Sequence, residues 1–140
     1  MLFGAYLAGI SLYNAGSGPA GALSYPLGVI CKVPHGIAGG FVLPYLLEHN
    51  VRNGYSQYAE IADVLGIIEI DDLAKSQKLV KLFFELYQRL NVWEFAKKYD
   101  VKSTNPQLKE YVELLQGAFD QNPVQFKPED GLQIINNIFK

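Results

Sequence analysis

The sequence predicts an all-helical domain, a bundle of amphipathic and buried helices. Apolar residues recur at helical spacing through most of the second half of the chain. Proline and glycine divide the chain into segments of helix length, and capping residues stand at several of the predicted starts. The length of 140 residues fits one domain that buries a core of its own.

Charge is distributed unevenly along the chain. Lys32 is the only charged residue before Glu48, whereas charges recur in every later predicted helix. A third of a domain with so little charge is hard to solvate and favours burial on several sides. We therefore expect the first third to pack inside the bundle, and a partner or a second domain to cover what the bundle cannot.

Composition excludes several classes of protein. The net charge of −2 and the scattered lysines give no electrostatic footprint for nucleic acid. A single cysteine, Cys31, cannot form an internal disulfide and fits a reducing compartment. The apolar run of residues 1–13 is shorter than the roughly 20 residues that cross a bilayer, and no basic residue precedes it as in a signal peptide. We expect a cytoplasmic protein without a membrane segment, and a buried first helix.

The first half is predicted to hold three helices. The first occupies residues 1–13 and ends in the glycine-rich residues 14–18. A short second helix spans residues 19–27, with Pro19 in its first turn. The third runs from Pro34 to about residue 49, is apolar nearly all round, and should be kinked at Pro44.

The second half is predicted to hold amphipathic helices. One ends at Gly66, which suits a C-terminal cap. Asp71 and Asp72 cap the next, which lasts to about residue 90. Asn105-Pro106 begins a helix whose apolar face extends to Phe119, and Pro128 opens the last helix. The apolar stripe of the helix after Asp72 consists of Leu79, Phe83, Leu86 and Leu90.

A glycine pattern in the first half matches a phosphate-binding fingerprint only in spacing. Gly16, Gly18 and Gly21 satisfy the spacing G-x-G-x-x-G. In a true fingerprint, however, the glycines follow a strand, and an acidic residue stands about 20 positions later. Here a helix precedes it, no carboxylate follows near Phe41, and Pro19 lacks an amide hydrogen. We interpret the stretch as a helix-breaking turn.

His35 is the strongest candidate for a functional side chain. It stands between Pro34 and Gly36 at a predicted helix start, where glycine allows another group to approach closely. The only other histidine, His49, lies four turns further along the same helix, so the two cannot share a metal, which needs three or four donors. Cys31 fits the role of a small apolar filler. No catalytic triad can be assembled from these residues alone.

Several short motifs of residues 1–50 keep the order and spacing of one enzyme family. They resemble the C-terminal helical domain of the iron-containing (group III) alcohol dehydrogenases, relatives of dehydroquinate synthase. Asn122-Pro123 and the helix start at residues 128–130 extend the resemblance weakly to the end of the chain, where Lys127 departs from the usual hydroxyl cap. The motifs are Asn14-x-Gly16-x-Gly18, Ser24-Tyr25-Pro26-Leu27-Gly28, Pro34-His35-Gly36-Ile37-Ala38, Leu43-Pro44 and Asn50.

The resemblance implies a place within a larger enzyme. Residues 1–140 would form the C-terminal helical domain, and the N-terminal dinucleotide-binding domain would be absent from this chain. The complete enzyme would transfer a hydride between NAD(P) and a small alcohol or aldehyde. Its partner would be a nucleotide-binding half or further copies of the chain, and the helical part would be inactive alone.

The resemblance also assigns site residues. The family holds a divalent metal, iron or zinc, by an aspartate and three histidines, and His35 stands at the last of these histidine positions. The preceding one is Gly21, which has no side chain to offer, so we expect metal binding to be weakened or lost. Tyr25 stands where the family has a second histidine near the nicotinamide. We therefore expect His35 and Tyr25 to act on the proton of the substrate.

Two other functions stay open on the sequence. The chain could be a truncated or split-gene product that survives as a non-enzymatic binding or assembly module. It could also be part of a lyase related to dehydroquinate synthase.

Overall fold

The structure, a computed structural model, describes residues 1–140 and confirms the predicted all-helical class. It contains nine helices and no strand. None of these helices combines the length and the hydropathy needed to cross a bilayer. In chain order they are α1 (Leu2–Ala15), α2 (Gly18–Val29), α3 (His35–Arg52), α4 (Ala59–Val64), α5 (Asp72–Arg89), α6 (Val92–Ala96), α7 (Pro106–Glu113), α8 (Gln116–Phe119) and α9 (Pro128–Ile138).

The main core lies around α2 and α3, which pack against each other more extensively than any other pair. Helices α7 and α8 pack on α2, and α9 packs on α3 and α7. Helix α5 packs against α3, and both α4 and α6 pack against α5. Most apolar side chains of α2 and α3 are therefore buried, as the composition of the first third of the chain predicts. The largest fully buried apolar side chains of the main core are Phe119, Leu23, Leu27, Leu108 and Ile135.

Helix α1 contradicts the prediction that the first helix is buried. None of its residues is buried, and its large apolar side chains are 45–91% exposed. The physical reason is that no other helix of the chain packs extensively against α1, so its apolar side chains have no neighbour within the chain to cover them. A helix that is apolar on all sides needs burial, but its sequence does not specify which polypeptide supplies it.

Local capping signals place the helix ends as predicted. The Asp71 carboxylate accepts a hydrogen bond of 2.7 Å from the Ala74 amide at the start of α5. Asn105 caps α7 by accepting from the Gln107 amide at 2.9 Å. Gly66 adopts φ +73 after α4, a conformation that favours glycine. These ends depend on neighbours within a few residues, which is why the sequence predicts them.

Two predicted apolar faces are shorter than expected. In α5, Leu79 is buried, but Leu86 and Leu90 are exposed because no helix covers the C-terminal half of that face. The helix after Asn105 ends at Glu113, and Phe119 belongs to the separate helix α8. At the break, the amides of Leu114 and Leu115 bond to carbonyls only three residues earlier, which tightens the turn.

Helix α3 continues through Pro44 to Arg52. Pro44 has no amide hydrogen to donate to the Gly40 carbonyl, four residues earlier. Tyr87 of α5 donates its hydroxyl to that carbonyl at 2.8 Å. Burial raises the pKa of the Tyr87 phenol above its ordinary value, which keeps the donor protonated. The proline in α3 is thus accommodated by a side chain of the neighbouring helix.

The far end of α3 is fixed by an amide pair, the buried Asn50 and the half-buried Asn122. Asn50 is 1% exposed, and its Nδ2 donates to the Tyr58 hydroxyl at 2.8 Å and to Asn122 Oδ1 at 3.1 Å. In return, Asn122 Nδ2 donates to Asn50 Oδ1 at 2.7 Å and to the Val124 carbonyl at 2.9 Å. The pair joins α3 to the loop between α8 and α9.

We expect Asn50→Ala to lower the free energy of unfolding by about 1–3 kcal/mol, because it leaves the half-buried Tyr58 and Asn122 without a hydrogen-bond partner. Urea denaturation of the full chain measures this change. The matched control is Asn53→Ala, which removes an exposed amide that bonds only to the His49 carbonyl. Equal effects of the two substitutions would contradict a special role for the amide pair.

Candidate functional site

The candidate site lies where the second half of α2 meets the start of α3. The connection is tight: the Val33 amide bonds to the Leu27 carbonyl at 3.1 Å, and Val33 is buried. Pro34 follows in an extended conformation (φ −55, ψ 135), so α3 begins at His35. The turn therefore brings the first residue of α3 back beside α2, as the Pro-His-Gly corner predicts.

Three side chains meet at this corner. Ser24 of α2 is fully buried, and its Oγ lies 2.8 Å from His35 Nδ1 and 3.3 Å from His35 Nε2. The Tyr25 ring lies 4.9 Å from the His35 ring, centroid to centroid, at 60°. Tyr25 is 55% exposed, its hydroxyl makes no hydrogen bond within the chain, and His35 is also exposed. The corner thus presents an imidazole and a phenol to solvent above a buried hydroxyl.

The structure brings together the two residues that the sequence singles out, Tyr25 and His35, and adds Ser24. Sequence reasoning gave Ser24 no role, although it belongs to one of the quoted motifs. Its one signal is its place three residues after Gly21, whose carbonyl accepts a hydrogen bond of 2.5 Å from Ser24 Oγ. A serine that bonds back to its own helix is common, so this signal does not single out a site.

The residues of this chain do not by themselves fit a metal ion. No three His, Cys, Asp or Glu side chains are grouped closely enough to hold one, and His35 is the single strong donor at the corner. A Cβ at Gly21 would overlap Ser17 Cβ, so a side chain there would require Ser17 to move. Burial, followed by the charge of Asp100, raises the pKa of the Cys31 thiol and disfavours the ligating thiolate.

His49 lies away from this corner, near the other end of α3. Its Nε2 lies 2.9 Å from the Gln125 carbonyl, and its ring packs edge-on against Phe126 at 4.9 Å. Its Nδ1 is 4.0 Å from the Asp130 carboxylate. These contacts join α3 to the first turn of α9 and to the segment before it, which is a structural role.

The glycine-rich stretch that separates α1 from α2 is a turn between two helices, as interpreted from the sequence. Gly16 and Gly18 both have positive φ, and the Gly18 amide donates to Gln121 Oε1 at 3.2 Å. Pro19, at the second position of α2, offers no amide hydrogen. Helix α1, and not a strand, precedes this stretch, so it lacks the context of a dinucleotide-binding loop.

The fold and the site together define a class of protein. It is an all-helical domain that carries an exposed histidine at the start of a long helix. The family model described as "Fe-containing alcohol dehydrogenase family, C-terminal" matches residues 1–139. The chain therefore belongs to the iron-containing alcohol dehydrogenase family, as the resemblance predicts.

Individual relatives agree with this assignment. The chain is 30% identical over 141 residues to an alcohol dehydrogenase of Thermococcus barophilus, covering 99% of this chain and 34% of that protein. It is 34% identical over 67 residues to lactaldehyde reductase of Escherichia coli, covering 48% of this chain and 18% of that protein. It is 27% identical over 142 residues to alcohol dehydrogenase 4 of Saccharomyces cerevisiae, covering 100% and 36%.

A solved structure is also similar in fold. The crystal structure of a 1,3-propanediol oxidoreductase aligns with 95% of this chain and 35% of its own, with a TM-score of 0.74 and 24% identity. The chain thus spans about a third or less of the length of these relatives.

Proposed function

We propose that this chain is the substrate-side helical half of an NAD(P)-dependent alcohol or aldehyde oxidoreductase, and that it acts only with a nucleotide-binding half. The observation that carries the proposal is the solvent-facing pair of Tyr25 and His35 in a domain of the iron-containing alcohol dehydrogenase family. Relatives that match nearly the whole chain are named alcohol dehydrogenases.

The proposed partner is the nucleotide-binding half of the same enzyme, and it would cover α1. Roughly two thirds of the Thermococcus relative lies outside the match, since the chain covers 34% of it. Covered aromatic side chains bury roughly 150–250 Å² each, and the apolar residues of α1 together approach the ~800 Å² per partner of a standard interface. We call these residues the α1 surface: Leu2, Phe3, Tyr6, Leu7, Ile10, Leu12 and Tyr13.

The chemistry assigned to the corner is proton transfer. Bound NAD(P)H would supply the hydride for reduction of the carbonyl carbon. His35 gives a proton to the carbonyl oxygen in that direction and takes it back when the alcohol is oxidised. Tyr25, whose hydroxyl has no partner within the chain, provides a hydrogen bond to the same oxygen. Because Gly21 leaves one of the family's metal-ligand positions without a side chain, no step is assigned to a metal, and activity is expected to survive chelation.

The test uses a fusion of the Thermococcus barophilus alcohol dehydrogenase segment that precedes the matched region to the full chain. The fusion should oxidise NADH or NADPH with small aldehydes after dialysis against a chelator, whereas the chain alone should not. His35→Gln should lower kcat/KM by about 100-fold or more, the usual contribution of a general acid. His49→Gln is the matched control and should retain activity.

Two outcomes would overturn the proposal. Turnover by the chain alone would show that the nucleotide-binding half is not needed. A fusion that folds and binds NAD(P)H without reducing any aldehyde would favour the alternative of a non-enzymatic binding module.

A further inference from the structure

We propose that a cleft in the nucleotide-binding half encloses α1 on all sides, so that α1 is a core helix of that half in the assembled enzyme. The inference rests on the proposed function for the identity of the partner. It goes beyond that function, because a partner could also cover α1 along one side alone. Its test measures the accessibility of side chains and requires no turnover.

All sides of α1 are exposed, and none of them carries a charge. Every residue of the helix is exposed, and none is Lys, Arg, Asp or Glu. Successive residues of an α-helix are about 100° apart, so residues 6–9 alone sample the whole circumference. A helix that lies on the surface of a protein keeps a charged or polar face toward water. Because α1 has no such face, a contact along one side would leave an uncharged side in water.

The polar side chains of α1 do not form a face toward water either. Asn14 Nδ2 donates to the Ile10 carbonyl at 2.8 Å, within the helix itself. Ser11 can donate in the same way to the carbonyl four residues earlier. Tyr6 and Tyr13 lie about 20° apart around the helix, and each ring buries a large apolar surface for one hydroxyl that needs a hydrogen-bond partner. Enclosure of α1 therefore leaves few polar groups to satisfy.

The circumference of α1 divides into two faces of different shape. The large side chains lie within an arc of about 140°, and the small residues lie within an arc of about 60° on the other side of the helix. The distance between packed helix axes, roughly 8–10 Å, depends on the side chains at the contact. One wall of the cleft would therefore lie close to the small face, and the other would lie further out against the large side chains. The small face consists of Gly4, Ala8, Ser11 and Ala15, and the large face of Leu2, Phe3, Tyr6, Leu7, Ile10 and Tyr13.

The chain itself does not supply this cleft. No other helix packs extensively against α1, and the turn at residues 16–18 is tied to the bundle through the Gly18 amide, which donates to Gln121 Oε1 at 3.2 Å. A second copy that paired through α1 would cover one side of each helix and leave the other side open. At about 21 Å, the helix is also shorter than the ~30 Å core of a bilayer. Two thirds of the Thermococcus relative lie outside the match, since the chain covers 34% of it, and we assign the cleft to that part.

The test compares the reactivity of single cysteines in the isolated chain and in the fusion described above. Cys31→Ser removes the native thiol, and one cysteine at a time is then placed at residues 6–9 and treated with Ellman's reagent. All four should react rapidly in the isolated chain, and all four should react at least about tenfold more slowly in the fusion, where reaction requires local opening. Lys81→Cys, at an exposed position of α5, is the control and should react equally in both proteins. The four variants are Tyr6→Cys, Leu7→Cys, Ala8→Cys and Gly9→Cys.

Two results would overturn the proposal. Rapid reaction of any of the four cysteines in the fusion would show that one side of α1 stays open. Slow reaction of all four in the isolated chain would show that a second copy covers the helix. Ile10→Cys and Ala15→Cys sample the large and the small face again and replace any variant that does not fold, as judged by circular dichroism.

The two proposals fail separately. A fusion that reduces aldehydes while one side of α1 reacts rapidly would contradict the enclosure of α1 and leave the proposed function intact. A fusion that protects all four cysteines but reduces no aldehyde would contradict the proposed function and leave the enclosure intact.

Discussion

Replacing Phe119 by alanine is expected to lower the free energy of unfolding of the chain by about 3–5 kcal/mol. Phe119 is the largest of the fully buried side chains, and its ring packs edge-on against Phe126 at 5.1 Å. Its helix, α8, packs on α2, so the cavity opens in the main core. A loss of this size approaches the whole stability of many small domains.

Urea denaturation followed by circular dichroism measures the Phe119→Ala effect. The matched control is Leu114→Ala, five residues earlier in the same stretch, where the side chain is 78% exposed and the expected change is within about 0.5 kcal/mol. A loss below 1 kcal/mol for Phe119→Ala would mean that α8 is not part of the core.

Tyr6→Glu should weaken assembly with the proposed nucleotide-binding half while leaving the stability of the isolated chain unchanged. Tyr6 lies in the middle of α1 and is 65% exposed, so the substitution disturbs no core contact. In the assembled enzyme the new carboxylate would be buried without a partner, at a cost of roughly 3–5 kcal/mol. The expected affinity loss is about 100-fold or more.

Isothermal titration of the chain with the separately produced part of the Thermococcus relative that lies outside the match, the proposed nucleotide-binding half, measures this affinity. Leu90→Glu is the matched control, because Leu90 is 64% exposed and apolar but lies at the end of α5. Both variants should unfold at the same urea concentration as the unmodified chain. Equal losses of affinity for the two variants would show that α1 is not the contact surface.

The sequence predicts features that depend on close neighbours and misses those that depend on distant ones. Asp71, Asn105 and Pro128 mark helix starts because a cap needs only the next two or three residues. The exposure of Leu86 is not predictable in this way, because it depends on where along α5 the packing of neighbouring helices ends. The prediction that α1 is buried is wrong for the same reason, because burial of a whole helix also depends on what packs against it.

The candidate site shows the same division. The corner at His35 is predictable because Pro34 and Gly36 fix its local geometry, and Tyr25 follows from the resemblance. That Ser24 belongs to the corner is not predictable in this way, because its hydroxyl contacts the Gly21 carbonyl on one side and the His35 imidazole on the other. That arrangement exists only after α2 and α3 have docked, so a sequence pattern does not contain it.

His35 and Asn50 occupy the two ends of a single helix, separated by about 22 Å at a rise of 1.5 Å per residue. One end is clamped by the amide pair, while the other faces solvent and carries the imidazole. The packing of α2 along α3 connects these two ends, so the amide pair helps to hold the helix that carries the imidazole. Under the proposed function, residues far from the substrate would therefore contribute to the placement of His35.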